Sequence, residues 1–202
     1  MNPIFLILIA AVWLYLLHVF KKANLKAWSF LWGSLGLFMI LMVFVRPYVT
    51  DPLARCVCAV AGLVGKIGGT YSAYFKYGIL FVTTKAGSSM TLMVDMECSG
   101  VIEIMAFLCL LIFYRVYTVP ERIIVSVLGF VYIMLCNALR VSIICLAVHF
   151  WGTGAYYVVH TFVARIIFYA LSVLLYFYVF TKPQIIQMKV GNFTYDHDKK
   201  NS

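Results

Sequence analysis

Five apolar runs fix what this chain can become, because each approaches or exceeds the roughly 20 residues a helix needs to cross a bilayer's ~30 Å hydrocarbon core. They occupy residues 3–20, 27–45, 99–117, 123–150 and 158–180. Hydrophobic residues make up 64% of the 202 and charged ones only 11%, with a mean hydropathy of +0.99. A soluble domain cannot hide that much apolar surface. The expected fold is therefore an all-α polytopic membrane protein. Residues 1–182 form a single integral membrane domain, and residues 183–202 form a flexible cytoplasmic tail.

The basic residues orient the spans. Lys21, Lys22 and Lys26 follow the first run, Arg115 and Arg122 lie between the third and fourth, and Lys182, Lys189, Lys199 and Lys200 follow the fifth. Positive residues gather on the cytoplasmic side, which gives five transmembrane helices with the N-terminus out and the C-terminus in. The first run has no positive segment before it and no small-residue cleavage site, so it is expected to be a retained span. The formal charge of +9 is spread over these flanks rather than gathered in one patch. That distribution suits anionic lipid and argues against nucleic-acid binding.

The segment from Arg46 to Glu97 falls outside the bilayer in this scheme. Pro52 to Val64 is apolar but short, which suggests an interfacial or re-entrant helix, with Gly65 to Gly69 ending it. Ile79–Thr84 and Met90–Met96 are β-prone runs around Lys85-Ala86-Gly87-Ser88-Ser89 and predict an extracytoplasmic β-hairpin. Such a hairpin hands the chain to Cys98 at the outer end of the third span.

Depth then brings distant residues together. Arg140 lies 17 residues above the start of the fourth run, or ~25 Å at 1.5 Å per residue, just below the outer surface. His160 opens the fifth run at the same rim. A thiol, a guanidinium and an imidazole thus share one shallow layer. A neighbouring cation favours the thiolate, which is the nucleophilic form. Imidazole can return a proton to a leaving amine, and a guanidinium can stabilise an oxyanion where water is scarce. Asn137 lies one turn before Arg140 on the same face and can orient it. His149 is a rival to His160, also near the outer rim.

Other readings compete. Of the six cysteines, Cys109, Cys136 and Cys145 sit in apolar runs and read as small hydrophobes. Cys56-Val57-Cys58 with Cys98 raises a thiol-redox relay, although the common redox motif has two intervening residues. A non-catalytic scaffold or carrier, with its charges serving helix packing, is the third class. The four histidines are scattered without ligand spacing, so no metal is expected. No glycine-rich phosphate loop is present and no cofactor is implied.

Glu103 and Arg165 each follow a site residue by five positions, about 7.5 Å of helical rise and about 140° of rotation. They are expected to pair with each other as supporting charges, or Glu103 to pair with Arg140.

Cys98-Ser99-Gly100, then Asn137-x-x-Arg140, then His160, in that order on successive spans, resembles the exosortase/archaeosortase family of membrane cysteine transpeptidases. His160 to Tyr169, with the stretch from Tyr176 to Lys182, resembles the short Gram-positive subgroup called exosortase G. The resemblance covers roughly residues 50–182. Larger members carry more spans and an arginine shortly after the Cys-Ser-Gly, where this chain has Val101-Ile102-Glu103. The resemblance implies a multi-pass enzyme of the bacterial cytoplasmic membrane with its site facing outward. Its partner would be an exported protein with a C-terminal hydrophobic sorting signal. Cys98 would form a thioester there, Arg140 and His160 would complete the site, and the protein would pass to a cell-surface acceptor.

Overall fold

The computed structural model describes residues 3–85, 87–114 and 116–185, with side chains from residue 11 onward except those of Lys26 and Glu97. Two antiparallel helices, α1 (Pro3–Lys22) and α2 (Lys26–Phe44), begin the fold. Asn24 makes the turn in the left-handed region at φ 57°, which Asn tolerates better than most residues. Trp13 Nε1 donates to the Trp32 carbonyl at 2.8 Å and ties the pair together.

The chain runs from α2 through Val45 directly into α3 (Arg46–Gly68). Pro47 near the α3 N-terminus cannot donate a backbone hydrogen bond, so one helix ends and the next begins there. The short interfacial helix expected over Pro52–Val64 is thus part of a helix of 23 residues. Gly65 does not end it. Gly62 and Gly65 leave room for Ala73 and Tyr71 of the following strand to lie against the helix, and the chain turns only at Gly69, φ 60°.

The expected hairpin is present as β2 (Ile79–Thr83) and β3 (Ser89–Met93), antiparallel with Leu80 opposite Leu92. A third strand, β1 (Tyr71–Tyr74), pairs with β2, so the sheet has three strands in the order β1-β2-β3. β1 is only four residues long, with Ser72 and Ala73 weak strand formers between Tyr71 and Tyr74, and packing on α3 supplies the rest. After β3 come one helical turn, α4 (Met96–Ser99), and α5 (Val101–Phe113). The third expected span, 99–117, therefore shrinks to 13 residues, about 20 Å. Tyr114 turns extended, and Arg122 Nη2 donates to its carbonyl at 2.9 Å.

Helix α6 (Val119–Trp151) starts four residues before the expected 123, because Thr118 and Glu121 form a capping box with Pro120 in the first turn. The last helical stretch, Ala155–Ile185, comprises α7 (Ala155–Val158), a π-helical turn Val159–Val163, α8 (Ala164–Tyr176) and a second π turn Phe177–Thr181. Tyr114 and Tyr117 donate to the Phe180 and Val179 carbonyls at 2.6 and 2.7 Å, satisfying acceptors at the second π turn. The tail from residue 186, with Lys189, Lys199 and Lys200, lies outside the described residues, as does Arg115.

Four helical segments among the described residues are long and apolar enough to cross a membrane: Ala27–Phe44, Arg46–Gly68, Val119–Trp151 and Ala155–Ile185. The protein is a multi-pass membrane protein. Lipid offers little hydrophobic drive between helices, so close packing at small residues matters. Gly129 lets α6 meet the ring of Phe107, and Gly33 lets α2 meet Phe113.

Two cores result. One joins Leu53 of α3 with Val101, Phe107 and Leu111 of α5 and Ile133 of α6, flanked by α2 and Tyr176. The other joins Cys58 and Ala61 of α3 with Leu80 and Val82 of the sheet and Val141 to Val148 of α6. Cys98 belongs to the second and Val101 to the first, so the Cys-Ser-Gly turn is the joint between them.

Candidate active site

The local sequence explains the shape of that joint. Asp95 caps α4, its carboxylate accepting from the Met96 amide at 2.6 Å and its carbonyl accepting from the Cys98 amide at 2.9 Å. Ser99 is wholly buried and spends its hydroxyl on the Met96 carbonyl at 2.8 Å. Gly100 then adopts φ 76°, ending α4 and opening α5, while its carbonyl accepts from Ile104 at 3.0 Å. A Cβ at Gly100 would collide with the Asn137 amide nitrogen. Only glycine meets both demands, which gives the Cys-Ser-Gly order a physical reason.

Cys98 is 7% exposed, and its Sγ lies 3.9 Å from Nε2 of His160. That separation is long for a hydrogen bond, as catalytic pairs often are before substrate arrives. His160 sits within the π turn Val159–Val163. A π turn widens the helix and re-aims its side chains, a device frequent at functional sites. Tyr156, one turn earlier, stacks on the imidazole with ring centroids 5.3 Å apart and planes 24° apart.

A cavity of about 30 Å³ separates these groups from the sheet, lined by Leu80, Leu92, Met93, Cys98, Ile144 and Tyr156 among others. That is room enough for an ordered water.

Arg140 is buried on α6 at 4% exposure, next to Val141, which lines the same cavity. Its guanidinium lies 5.8 Å from the centroid of the Phe168 ring on α8, a cation–π contact. Asn137 donates to the Ile133 carbonyl at 3.0 Å and packs on Gly100, three residues before Arg140 on the same face. With α6 starting at Val119, Arg140 stands 21 residues along it, about 31 Å.

The two candidate histidines part company. His149 Nδ1 lies 2.6 Å from the Thr83 carbonyl, and its own carbonyl accepts from Lys85 at 3.2 Å. It fastens the end of α6 to the hairpin, and His160 takes the place beside the thiol.

Glu103 and Arg165 are both half-buried, on α5 and α8. The expected 140° offset from Cys98 does not hold, because Gly100 breaks the helix between Cys98 and Glu103.

Cys56 is exposed while Cys58 is buried with Sγ directed to the Ile79 carbonyl at 3.5 Å, and no cysteine is in a disulfide. Cys56 and Cys58 therefore face different surroundings, while Cys58 shares its core with Cys98. Among the described residues no cluster of His, Cys, Asp and Glu has the makings of a metal site. Tyr156 is the site residue the sequence reading missed. Its signal is an aromatic four positions before a histidine on one helix.

A multi-pass helical membrane protein with a buried cysteine facing a histidine from another helix is the class this fold and site define. The transmembrane exosortase family model matches residues 3–178, and the chain belongs to that family. Comparison with curated proteins and with solved structures finds no match.

Proposed function

We propose that the protein is a membrane-embedded cysteine transpeptidase that cleaves the C-terminal sorting signal of exported proteins and transfers them to a cell-surface acceptor. The observation that carries this reading is the Cys98–His160 pair, 3.9 Å apart in a small cavity, in a chain of the exosortase family.

The site faces outward in this reading. Lys21, Lys22 and Arg122 flank the end of the bundle where Phe113 meets α2, and positive flanks favour the cytoplasm. The sheet and His160 belong to the opposite end.

His160 takes the Cys98 proton, and the thiolate attacks the carbonyl carbon of the scissile peptide bond. The electron pair moves onto oxygen, where the Arg140 guanidinium stabilises the charge. The carbon–nitrogen bond breaks, and His160 gives its proton to the departing amine of the tail segment. An acceptor nucleophile then attacks the thioester on Cys98 while His160 takes its proton, which forms the new bond, breaks the carbon–sulfur bond and restores the thiolate beside the protonated imidazole. Asn137 supports the Gly100 turn from the helical turn before Arg140. Glu103 balances an intramembrane arginine, Arg165 or Arg140, as charges at this depth require.

The test compares membranes from cells carrying wild-type, Cys98→Ala and Cys98→Ser protein at equal abundance. Accumulation of an uncut tailed protein in both variants is expected. Unchanged processing by Cys98→Ala would refute the mechanism.

A further inference from the structure

We propose that the open edge of β3 is a docking strand for the substrate segment just before the scissile bond, which adds as a fourth, parallel strand and is led by it to Cys98. This rests on the reading of Cys98 as the nucleophile.

The register decides which backbone groups face outward. Thr84 donates to the Ser88 carbonyl at 2.8 Å, and Val94 donates to the Gly78 carbonyl at 2.9 Å. Hydrogen-bonded pairs alternate along an antiparallel ladder, so Val82–Met90 and Leu80–Leu92 are the bonded pairs between them. The amides and carbonyls of Ser89, Thr91 and Met93 therefore point away from β2. No backbone or side-chain hydrogen bond engages them among the described residues.

The two edges of the sheet differ. The β1 edge is closed by α3, with Ala73 on Gly62 and the Tyr71 hydroxyl on the Ala61 carbonyl at 2.7 Å. The β3 edge has β2 on one side and, among the described residues, no helix packed along the other. An open edge is an aggregation hazard that proteins normally blunt with lysine, proline or a bulge. Ser89-Met90-Thr91-Leu92-Met93 has none of these.

The edge also leads to the thiol. Leu92, Met93 and Val94 line the cavity that holds Cys98 and His160, and the Met93 side chain is 74% exposed. β3 runs from the hairpin tip toward Cys98. The substrate's apolar tail descends into the membrane from the cleavage point, so the residues before that point run in the same direction as β3. Main-chain bonds to Thr91 and Met93 supply affinity without side-chain selection, and alternate substrate residues face the cavity side.

The probe is the exported protein that accumulates uncut in Cys98→Ala membranes. If none accumulates, the transpeptidase reading itself fails, before the strand is tested. Thr91→Pro removes an outward amide and leaves the β2 bonds of Met90 and Leu92 in place. Processing should fall about ten-fold or more, the scale of one lost hydrogen-bonded contact. Thr91→Ala keeps the amide and should process about ten-fold faster than Thr91→Pro, and the rate of Cys98 alkylation by iodoacetamide should match wild type in both. Processing by Thr91→Pro at the wild-type rate overturns the proposal. Should Thr91→Pro not accumulate, Thr91→Cys in a Cys98→Ala background is oxidised against substrates with single cysteines before the cleavage point. Crosslinks at alternate positions are expected, and crosslinks at none overturn it.

Discussion

Asn137 of α6 closes on Gly100 at the head of α5 so tightly that its amide fills the space a Cβ would need. Gly100→Ala therefore carries two separable penalties: the collision, and a left-handed backbone at φ 76°. The second alone costs roughly 1–2 kcal/mol for a residue with a Cβ. Pairing Gly100→Ala with Asn137→Ala should relieve only the collision. Melting temperatures in detergent should place the double variant below Asn137→Ala by that residual amount. Complete recovery would show that the turn does not need a glycine backbone.

The stack of Tyr156 on His160 gives a second expectation. Tyr156→Phe keeps the ring and should process substrate nearly as wild type. Tyr156→Ala frees the imidazole and should slow processing by roughly ten-fold, since misplacement of about 1 Å is costly in catalysis. Alkylation of Cys98 across pH separates this from a general folding defect: the profile should shift for Ala and not for Phe. Identical profiles would mean that the stack does not position His160.

Much of this arrangement was legible in the sequence, and the failures share a cause. Apolar runs announced α1, α2, α6 and the last helical stretch, because bilayer thickness imposes a length on each. They hid the length of α3, whose first turns carry Arg46, Pro47, Asp51 and Pro52, and overstated α5. Depth put Cys98 in one layer with both His149 and His160, and only the family resemblance favoured His160, which the packing brings to 3.9 Å from the thiol. What stayed hidden depends on partners. Gly65 read as a helix breaker, yet with Gly62 it serves the approach of β1. The widened turn at Val159–Val163 has no composition of its own. Gly100 looked like part of a motif, and its left-handed turn, which redirects everything after it, shows only once Asn137 is opposite.

Tyr71 links the sheet to both α3 and α6, donating to the Ala61 carbonyl at 2.7 Å and bonding Ser142 Oγ at 3.1 Å. Burial pushes its phenol above the usual value of 10.0, with the Ser142 bond acting in the opposite direction. A raised folded-state value means the native form holds its proton more tightly. The associated stability is fully present below about pH 10 and is lost as pH rises through the higher folded value. Tyr71→Phe should cost about 1 kcal/mol at neutral pH from the lost bonds. It should also flatten the alkaline decline in melting temperature. A decline as steep as that of wild type would assign alkaline lability to other groups.

Glu103 offers the sharpest test of how the buried charges are organised, because two arginines compete for it. Leaving one charge of a buried pair alone typically costs 3–5 kcal/mol, so about that much is expected from Glu103→Gln. Removing the true partner as well should restore membrane abundance. If Arg165 is the partner, Glu103→Gln with Arg165→Gln recovers both abundance and processing, since neither charge touches the substrate. If Arg140 is the partner, Glu103→Gln with Arg140→Gln recovers abundance while processing stays lost, because Arg140 also serves the oxyanion. Quantitative blots of membrane fractions read the first quantity and tail cleavage reads the second. Strictly additive damage in both double variants would mean that Glu103 pairs with neither.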